Sequence, residues 1–422
     1  MKVLWFANTS CSAAEKLFPG SVSGGGWLNS LEKELSSFSD IELHIAFYFG
    51  ERLNPFKHNN THYYPVYRKN TSTKLQRLIA RWLGKEQNDK IEIPELVKVV
   101  EFVKPDIIHI HGTEENFGLI QSYTSVPVIL SIQGILSSIT DKYYAGIPAR
   151  VACKYEPLKN KILRTSLKYN YKRHVHNTCR EQEILALTKH ICGRTVFDKV
   201  ITRLMAPESN YYTLQEIIRQ GFYNNIWEKF GYDDTLKIVS ILNQESYKGF
   251  ETILKTACIL TKAKKLKFEW LVAGISDSNN TVVISEKWLK LKHRNQNIKL
   301  LGRLDELSVV ELMKTSDIFC QVSHIENSPN SLCEAMLLGI PIVASHVGGT
   351  TSLLNDFKEG LVIQDGDAFM LAGALNTIAD NFELAAEYGK MARTKALKRH
   401  NREQIIQSTL EIYNSVVTTH IS

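Results

Sequence analysis

The strongest constraint on the fold of this chain is the stretch 318–349, where two apolar runs flank a polar loop and a helical segment. The first run, 318–322, predicts a buried strand, and the loop HIENSPN after it contains Pro and Asn, which are turn residues. A helix is predicted over 331–339, since Gly339 and a proline soon after it are helix-ending residues. The run PIVAS predicts a second strand that ends at two glycines. This order is typical of a parallel α/β sheet.

Two carboxylates in this stretch stand eight positions apart, Glu326 in the loop after the strand and Glu334 one turn into the helix. Ligands of open α/β sheets bind outside the carboxyl ends of the strands, and free amides at a helix N-terminus suit a phosphate. We therefore expect a phosphate at the loop, with the two carboxylates binding hydroxyl groups on either side, as a nucleotide sugar would require. The residues expected around this phosphate are Asn327, Ser328, Pro329, Asn330, Ser331 and Leu332.

The pattern resembles the Glu-x7-Glu signature of the retaining glycosyltransferases of family 4, of the bacterial cell-surface polysaccharide type. The resemblance implies an α/β protein of the GT-B fold, with two facing Rossmann-like domains of parallel sheets and an interdomain cleft. It also implies that Glu326 contacts the transferred sugar and Glu334 the ribose of the nucleotide. The alternative is an ordinary βαβ crossover whose glutamates lie on the surface.

The predicted domains follow from length and from this resemblance. A chain of 422 residues is long for one core, so two domains are expected. We place the N-terminal, acceptor-side domain at 1–220, joined by a C-terminal helix at 401–422. The C-terminal, nucleotide-sugar donor domain is placed at 235–400, after a linker at 221–234.

Composition places the chain among soluble globular proteins, with 44% hydrophobic and 23% charged residues. No apolar run approaches the roughly 18–20 residues of a membrane span. The start, MKVLWFANTS, predicts a buried strand rather than a signal peptide. Seven cysteines without a C-x-x-C pair indicate reduced thiols. We therefore expect a cytoplasmic protein, and peripheral association with the inner face of the plasma membrane stays open.

The net charge of +7 is unevenly distributed along the chain. Residues 1–205 carry 28 Lys and Arg against 19 Asp and Glu, a net charge of +9. The remaining residues carry 23 Lys and Arg against 25 Asp and Glu, a net charge of −2. Within the basic part, the segment 71–85 predicts a helix with a one-sided apolar stripe. The stripe consists of Leu75, Leu78, Ile79, Trp82 and Leu83, and the other positions include Lys74, Arg77, Arg81 and Lys85. A helix of this kind can lie on an anionic membrane surface, or its stripe can pack on the domain core.

In the N-terminal half, Gly24, Gly25 and Gly26 precede a predicted helix. Glycines there permit close backbone approach, and the resemblance implies that Gly25 and Gly26 face the donor phosphates. A strand predicted at 107–111 ends in His109 and His111, which point to the same side. The resemblance places His111 beside the donor sugar, whereas His109 is expected to be a packed histidine.

Arg194 lies where a short strand passes into a helix, and an arginine there can bind a phosphate through two hydrogen bonds. The alternative is an arginine paired with Asp198 on the helix surface. Gln133 stands where many members of the family have a histidine, and a role in the acceptor site is a hypothesis for it.

The second half also resembles the family at Lys248, which is expected to neutralise the donor diphosphate, and at Gly302 and Arg303, which are expected to line the nucleobase pocket. It departs from the family at Asn243, where relatives have an arginine, so one cation of the donor site is missing.

These residues, with the resemblance to family 4, imply a retaining glycosyltransferase that moves a hexose-type sugar from a nucleoside diphosphate, UDP or GDP, to a hydroxyl acceptor, which by the resemblance is a growing, lipid-linked surface glycan. Glu326, Lys248 and His111 are the predicted catalytic residues. No Asp-x-Asp pair offers a metal site, so a metal-independent reaction without a cofactor is expected. No nucleic-acid partner is expected. Two alternatives stay open: a catalytically weak nucleotide-sugar-binding protein, which Asn243 favours, and a GT-B sugar-nucleotide epimerase.

Overall fold

The computed structural model of this chain describes residues 1–18, 26–68, 74–83 and 88–421. The chain forms two compact units. Unit 1 consists of Met1–Ser137, Arg173–Ile217 and Asn401–Ser422, and unit 2 consists of Ser138–Lys172 and Ile218–His400.

Each unit is built on its own sheet. The strands of unit 1 are β1 Lys2–Ala7, β2 Glu42–Phe49, β3 Phe56–His58, β4 Thr61–Tyr67, β5 Ile107–His111, β6 Val128–Ser131, β7 His190–Gly193 and β8 Asn210–Thr213. The strands of unit 2 are β9 Leu236–Ile241, β10 Phe268–Ala273, β11 Ile298–Gly302, β12 Ile318–Gln321, β13 Ile342–Ser345 and β14 Leu361–Ile363.

The helices alternate with these strands in both units. In chain order they are α1 Ala13–Leu17, α2 Gly26–Leu35, α3 Lys74–Leu83, α4 Asp89–Val103, α5 Leu136–Asp141, α6 Ala149–Tyr155, α7 Leu158–Ile162, α8 Leu167–Leu187, α9 Val196–Met205, α10 Gln220–Asn224, α11 Phe250–Ala263, α12 Asn280–Leu289, α13 Glu306–Thr315, α14 Asn330–Leu338, α15 Thr350–Leu353, α16 Ala368–Asp380, α17 Phe382–Arg399 and α18 Arg402–Ile421.

In each sheet, successive strands are added first toward one edge and then toward the other, so the strand order has one switch point. Unit 1 has the order β3-β4-β2-β1-β5-β6-β7-β8, in which β3 runs antiparallel to β4 and the other pairs are parallel. Unit 2 has the all-parallel order β11-β10-β9-β12-β13-β14. The order turns between β1 and β5 in unit 1 and between β9 and β12 in unit 2. Such a switch point opens a crevice at the carboxyl ends of the two strands, where ligands bind.

The sheet of unit 1 is covered on both faces. One apolar cluster joins β1 and β2 to α2 and α18, and the other joins the opposite strand faces to α4, α8 and the turn around Phe117. Tyr413 attaches helix α18 to strands β1 and β5 of the sheet. Its hydroxyl accepts a hydrogen bond from Trp5 Nε1 at 3.1 Å and lies 2.6 Å from His109 Nδ1. His109 is thus a packed histidine, as the sequence predicts, and its Nε2 lies 2.7 Å from Ser131 Oγ.

The units divide the chain differently from the predicted boundaries. The segment Ser138–Lys172, predicted in the N-terminal domain, belongs to unit 2. Its contacts explain this, because the Tyr143 carbonyl accepts a hydrogen bond from Ser246 and Asn160 contacts Asn280 on α12. The predicted linker at 221–234 is also part of unit 2, since Trp227 is buried there and its indole donates to the Ser316 carbonyl at 2.8 Å.

The part of the predicted basic helix 71–85 that the structure describes is α3, Lys74–Leu83, and its apolar stripe does not pack on the core; Lys85 lies outside the described residues. The exposed fractions are 66% for Leu75, 48% for Ile79, 53% for Trp82 and 61% for Leu83. Among the residues of α3 whose side chains are described, Ala80 is buried and lies away from the stripe, and Leu78 of the stripe is partly buried. The core-packing interpretation of the stripe is therefore wrong.

None of the helices in the described ranges combines the length and the apolar composition that crossing a bilayer requires.

The buried contacts of Tyr413 predict a stability effect. Tyr413→Phe should lower the free energy of unfolding by about 1–3 kcal/mol, because Trp5 Nε1 and His109 Nδ1 lose a buried partner. Urea unfolding followed by tryptophan fluorescence measures the change. Tyr123→Phe is the matched control, because Tyr123 is exposed in the same unit. Equal stability of the two variants would show that this contact does not hold α18 in place.

Candidate functional site

The predicted catalytic residues of unit 2 meet at its switch point. Lys248 ends a short 3₁₀ turn after β9, and Glu326 lies in the loop after the neighbouring strand β12. Lys248 Nζ donates to Glu326 Oε1 at 2.5 Å, and Ser323 Oγ donates to the same oxygen at 2.7 Å. The structure therefore places an ammonium and a carboxylate, paired with each other, at the carboxyl ends of two adjacent parallel strands.

Two glycines allow the loops around this pair to approach closely. Gly249 has φ +80°, and a Cβ there would lie 2.1 Å from the carbonyl oxygen of Val322. Gly348 has φ +45°, and a Cβ there would lie 1.9 Å from the carbonyl oxygen of Glu326. The amide of Gly349 donates to the same Glu326 oxygen at 3.0 Å. Any side chain at 249 or 348 would push the Glu326 loop away, since real Cβ atoms do not approach so closely.

Glu334 is buried in α14 and has a partner that the sequence did not reveal. Arg219 Nε donates to Glu334 Oε1 at 2.7 Å, although the two residues are 115 positions apart. Burial raises the pKa of Glu334, and the Arg219 guanidinium opposes that rise. Glu306 lies nearby and accepts a hydrogen bond from the amide of Gly221 at 2.9 Å. No local motif marks Arg219, because only the fold brings it to Glu334.

The loop before α14 can offer backbone amides to an anion. The helix begins at Asn330, one residue before the predicted start. The Leu332 amide already donates to the Pro329 carbonyl at 3.0 Å, so the amides of Asn330 and Ser331 at the helix start are the ones that can meet an anion. Pro329 and Leu332 are buried, as are the side chains of Asn327 and Ser328, whereas Asn330 and Ser331 are partly exposed. The positive end of the helix dipole adds to the attraction for a phosphate.

The remaining predicted donor residues of unit 2 lie at the same edge of its sheet. Gly302, with φ +68°, ends β11, and its amide donates to the Ile275 carbonyl at 3.0 Å. Arg303 follows it and is exposed. Asn243 follows β9 and is exposed, and its Oδ1 accepts from the amide of Glu245 at 3.0 Å. Asn243 therefore shapes the loop and brings no positive charge to it.

In unit 1, His111 lies at the end of β5, at the switch point of that sheet. It is 1% exposed and packs edge-on against Trp5 and Trp27, with ring centroids 4.5 and 5.8 Å away. Burial lowers its pKa well below the ordinary range, and His109 and Arg194 lower it further, so the imidazole is neutral at pH 7. Gly26 begins α2 with φ +48°, and Gly24 and Gly25 lie outside the described residues.

Arg194 is buried beside these residues. Its guanidinium lies over the Trp27 ring, 4.4 Å from the centroid, and its Nε is 3.5 Å from Glu216 Oε2. The sequence offered Asp198 as its partner on the helix surface. Asp198 instead accepts a hydrogen bond from the Arg194 backbone amide at 2.9 Å and, with Thr195, forms the capping box of α9.

A buried histidine fixes the loop that carries Glu326, and the sequence did not single it out. His324 Nδ1 lies 2.6 Å from Asp365 Oδ1, and its Nε2 lies 2.9 Å from Glu251 Oε1. Burial would lower its pKa, but the hydrogen bonds and charges of Asp365 and Glu251 outweigh burial and raise the pKa to about 9. The charged imidazolium thus ties the loop after β12 to the start of α11 and to the turn after β14.

The chain shares its architecture with solved glycosyltransferase structures. Sucrose-phosphate synthase from Thermosynechococcus elongatus superposes with a TM-score of 0.72 at 13% identity, over 99% of this chain and 100% of that one. Anabaena Alr3699/HepE in complex with UDP and glucose gives a TM-score of 0.64 at 14% identity, over 98% and 100%. These likenesses confirm the predicted α/β fold of the GT-B type, with two parallel-sheet domains.

Residues 224–395 match the family described as glycosyl transferases group 1. The uncharacterized glycosyltransferase MJ1069 of Methanocaldococcus jannaschii is 24% identical over 205 residues, 48% of this chain and 51% of that protein. The phosphatidyl-myo-inositol mannosyltransferase of Mycobacterium leprae is 28% identical over 125 residues, 29% of this chain and 33% of that protein. The chain thus spans about half of the first relative and a third of the second. The matched region contains Lys248, Glu326 and Glu334, whereas Arg219, His111 and Arg194 lie outside it.

The paired His324 predicts a loss of stability at alkaline pH. Its folded-state pKa of about 9 lies above the ordinary 6.5, so its stabilisation is complete below about pH 6.5 and is lost as the pH rises through 9. The unfolding temperature of the protein should fall across this range. His324→Gln should be less stable at low pH and should show a shallower fall, which scanning calorimetry at constant ionic strength measures.

His346→Gln is the control for this experiment, since His346 is exposed in the same unit. The unfolding temperature of His346→Gln should change with pH as that of the wild type does. If His324→Gln and the wild type lost stability in parallel with pH, the imidazolium would not be the group responsible.

Proposed function

We propose that this protein is a retaining glycosyltransferase that moves a hexose-type sugar from a nucleoside diphosphate to a hydroxyl group of a glycan acceptor. The observation that carries the proposal is the Lys248–Glu326 pair at the carboxyl ends of β9 and β12, within the region that matches glycosyl transferases group 1. Glu334 lies in the helix that follows and is hydrogen-bonded to Arg219.

The residues of unit 2 suit the charges of this reaction. When the bond between the anomeric carbon and the diphosphate oxygen breaks, negative charge grows on the leaving phosphate. Lys248 and the first amides of α14 would stabilise that charge, which is the main electrostatic contribution in such sites. Glu326 would orient the hydroxyl groups of the transferred sugar, and Glu334 those of the ribose.

The configuration of the anomeric carbon would be retained through a front-face displacement. The acceptor oxygen would bond to the anomeric carbon on the face that the diphosphate leaves, and the acceptor proton would pass to the departing phosphate oxygen. This path needs no protein nucleophile. It also needs no metal ion, because Lys248 and the dipole of α14 supply positive charge where the diphosphate would lie. We expect transfer to continue in the presence of EDTA.

The donor is proposed to be a UDP- or GDP-sugar. UDP is present in the Anabaena structure that shares this fold, and the turn of Gly302 and the exposed Arg303 offers backbone groups to a base. A protein that binds the nucleotide sugar without transferring it is the second candidate, and Asn243 favours it because it places no cation in the loop after β9. Slow hydrolysis of the bound sugar nucleotide would exclude that candidate.

The acceptor is proposed to lie at an anionic membrane surface, as a lipid-linked glycan at the cytosolic side. The exposed apolar stripe of α3 lies beside exposed Arg77, and α9 of the same unit exposes Val196, Val200 and Leu204 next to Lys199 and Arg203. Helices that expose apolar and basic residues together bind the boundary between headgroups and acyl chains. The relative from Mycobacterium leprae is named for a phosphatidyl-myo-inositol substrate.

The nucleotide role of Glu334 predicts a binding defect. Glu334→Ala should weaken binding of the cognate nucleotide by roughly 1.5–3 kcal/mol, because a buried ribose diol loses its charged acceptor. That corresponds to a Kd higher by about 10- to 150-fold. Calorimetry with UDP, GDP and their hexoses measures it, and only one nucleotide series should bind tightly to the wild type.

Glu311→Ala, on the exposed face of α13, is the matched control and should bind as the wild type does. Glu334→Gln serves if the alanine variant unfolds. Unchanged affinity in both Glu334 variants would remove this residue from the nucleotide site, and failure of every nucleotide to bind the wild type would refute the proposed function.

The basic residues beside the apolar stripe of α3 predict salt-dependent membrane binding. Each cation near an anionic surface contributes about 1 kcal/mol, an effect that salt screens. The protein should therefore sediment with anionic vesicles, and less so at high salt. Replacing Arg77, Arg81 and Lys85 with Gln should reduce sedimentation at low salt without unfolding the protein. The control replaces Lys262, Lys265 and Lys267 of unit 2. Equal reduction by the two triple variants, or sedimentation that ignores salt, would contradict docking through α3.

A further inference from the structure

Arg219 belongs to a segment that is fixed on unit 2. It immediately precedes α10, a short helix that packs against α13 and α14. Ile218 and Phe222, on either side of Arg219, are buried in the core of that unit. The guanidinium lies over the Phe222 ring, 4.9 Å from the centroid. A Cβ at Gly221 would lie 2.9 Å from Glu306 Oε1, so α10 and α13 are closely packed there. The backbone therefore holds Arg219 in one place beside α14.

Arg219 binds one oxygen of the Glu334 carboxyl group and not the other. Arg219 Nε and Nη2 both lie 2.7 Å from Glu334 Oε1. Glu334 Oε2 makes no hydrogen bond with any residue that the structure describes. An arginine paired with a carboxylate often binds both oxygens at once, in a bidentate arrangement. Here the second oxygen keeps its two acceptor positions, which is enough for the two adjacent hydroxyl groups of a ribose.

The charges around Glu334 make Arg219 important for its ionisation. Burial raises the pKa of Glu334, the charge and hydrogen bonds of Arg219 lower it, and Glu306 on α13 raises it. Other titratable side chains beside α14 are those of Arg393 on α17, Cys333 and His400. Without the charge of Arg219, the buried carboxyl group would take up a proton at a higher pH, because a buried charge without a partner is costly. A protonated carboxyl group is a weaker acceptor for hydroxyl groups than a carboxylate.

We propose that Arg219 is a positioning residue of the nucleotide site, which binds Oε1 of Glu334 so that Oε2 accepts the hydrogen bonds of the ribose hydroxyl groups. The inference rests on the proposed function, because that function makes a ribose the ligand of Glu334. Arg219 acts through Glu334 and makes no contact of its own with the nucleotide. It precedes the region 224–395 that matches the glycosyl transferases, so the family match does not include it.

The first test measures nucleotide affinity against pH. Calorimetry of the full chain with UDP and GDP is carried out between about pH 6 and 8.5 on the wild type, Arg219→Gln and Arg219→Lys. At about pH 6.5, Arg219→Gln should bind the cognate nucleotide about tenfold more weakly than the wild type, since one unit of pKa is a factor of ten. This deficit should shrink as the pH rises, because Glu334 regains its charge. Arg219→Lys keeps a cation and should restore most of the affinity at low pH.

Two controls separate positioning from a structural role. In a Glu334→Gln background, where residue 334 cannot ionise, Arg219→Gln should add no pH dependence to nucleotide binding. Arg294→Gln is the matched control, because Arg294 pairs with Asp277 at 3.2 Å on the surface of the same unit. It should bind as the wild type does at every pH. The ratio of each variant's affinity to that of the wild type removes the titration of the nucleotide itself.

A second readout needs no nucleotide. Carbon-13 NMR of the glutamate carboxyl groups, with Glu334 assigned through Glu334→Gln, should show that Glu334 takes up its proton at a higher pH in Arg219→Gln than in the wild type. Arg219→Lys should lie between the two.

The role of Arg219 would be overturned by wild-type affinity in Arg219→Gln, by a deficit that is the same at every pH, or by an unchanged titration of Glu334. Absence of nucleotide binding in the wild type, with the Glu334 titration still displaced in Arg219→Gln, would instead refute the proposed function and the ribose role with it. Normal nucleotide binding beside an unchanged titration would refute the role of Arg219 alone.

Discussion

The close contact between the loop that carries Glu326 and its neighbours is the constraint on which the site of unit 2 depends. Parallel strands β9 and β12 are adjacent, so the loops at their carboxyl ends must share one crevice. They can share it only because Gly249 and Gly348 have no side chain where the carbonyls of Val322 and Glu326 pass. This approach brings Lys248 Nζ to within 2.5 Å of Glu326. Gly249 and Gly348 therefore have a structural role, because their lack of side chains lets the Glu326 carboxylate lie against the Lys248 ammonium.

Ion pairs organise the rest of that unit. Glu334 is paired with Arg219, and His324 with Glu251 and Asp365, and each of these pairs joins segments that are far apart in sequence. A buried charge is costly unless it is paired, and removal of one partner leaves the other uncompensated. A substitution at any of these positions therefore changes stability as well as ligand affinity, and the two must be measured on the same variant.

Local sequence patterns predicted what depends on neighbouring residues. The alternation of strands and helices and the helix that carries Glu334 both follow from hydrophobic periodicity and from the glycines and prolines that end these elements. The exposure of the α3 stripe did not follow, because periodicity shows that a helix has an apolar face and does not show what covers it. The attachment of Ser138–Lys172 to unit 2 did not follow either, since it rests on contacts with residues about a hundred positions away.

The sequence by itself determined the fold class. It also determined that Glu326 and Glu334 lie at the same edge of a parallel sheet, because one follows a strand and the other lies one turn into the next helix. Only the tertiary structure decided which groups face them. Arg219 reaches Glu334 across 115 positions, and Asp365 reaches His324 across 41. It also decided that His109 is fully paired while His111 and Glu114 keep unpaired atoms. The reason is physical. Burial and pairing depend on which residues are neighbours in three dimensions, and segments that are distant in sequence become neighbours only when the chain packs and excludes water.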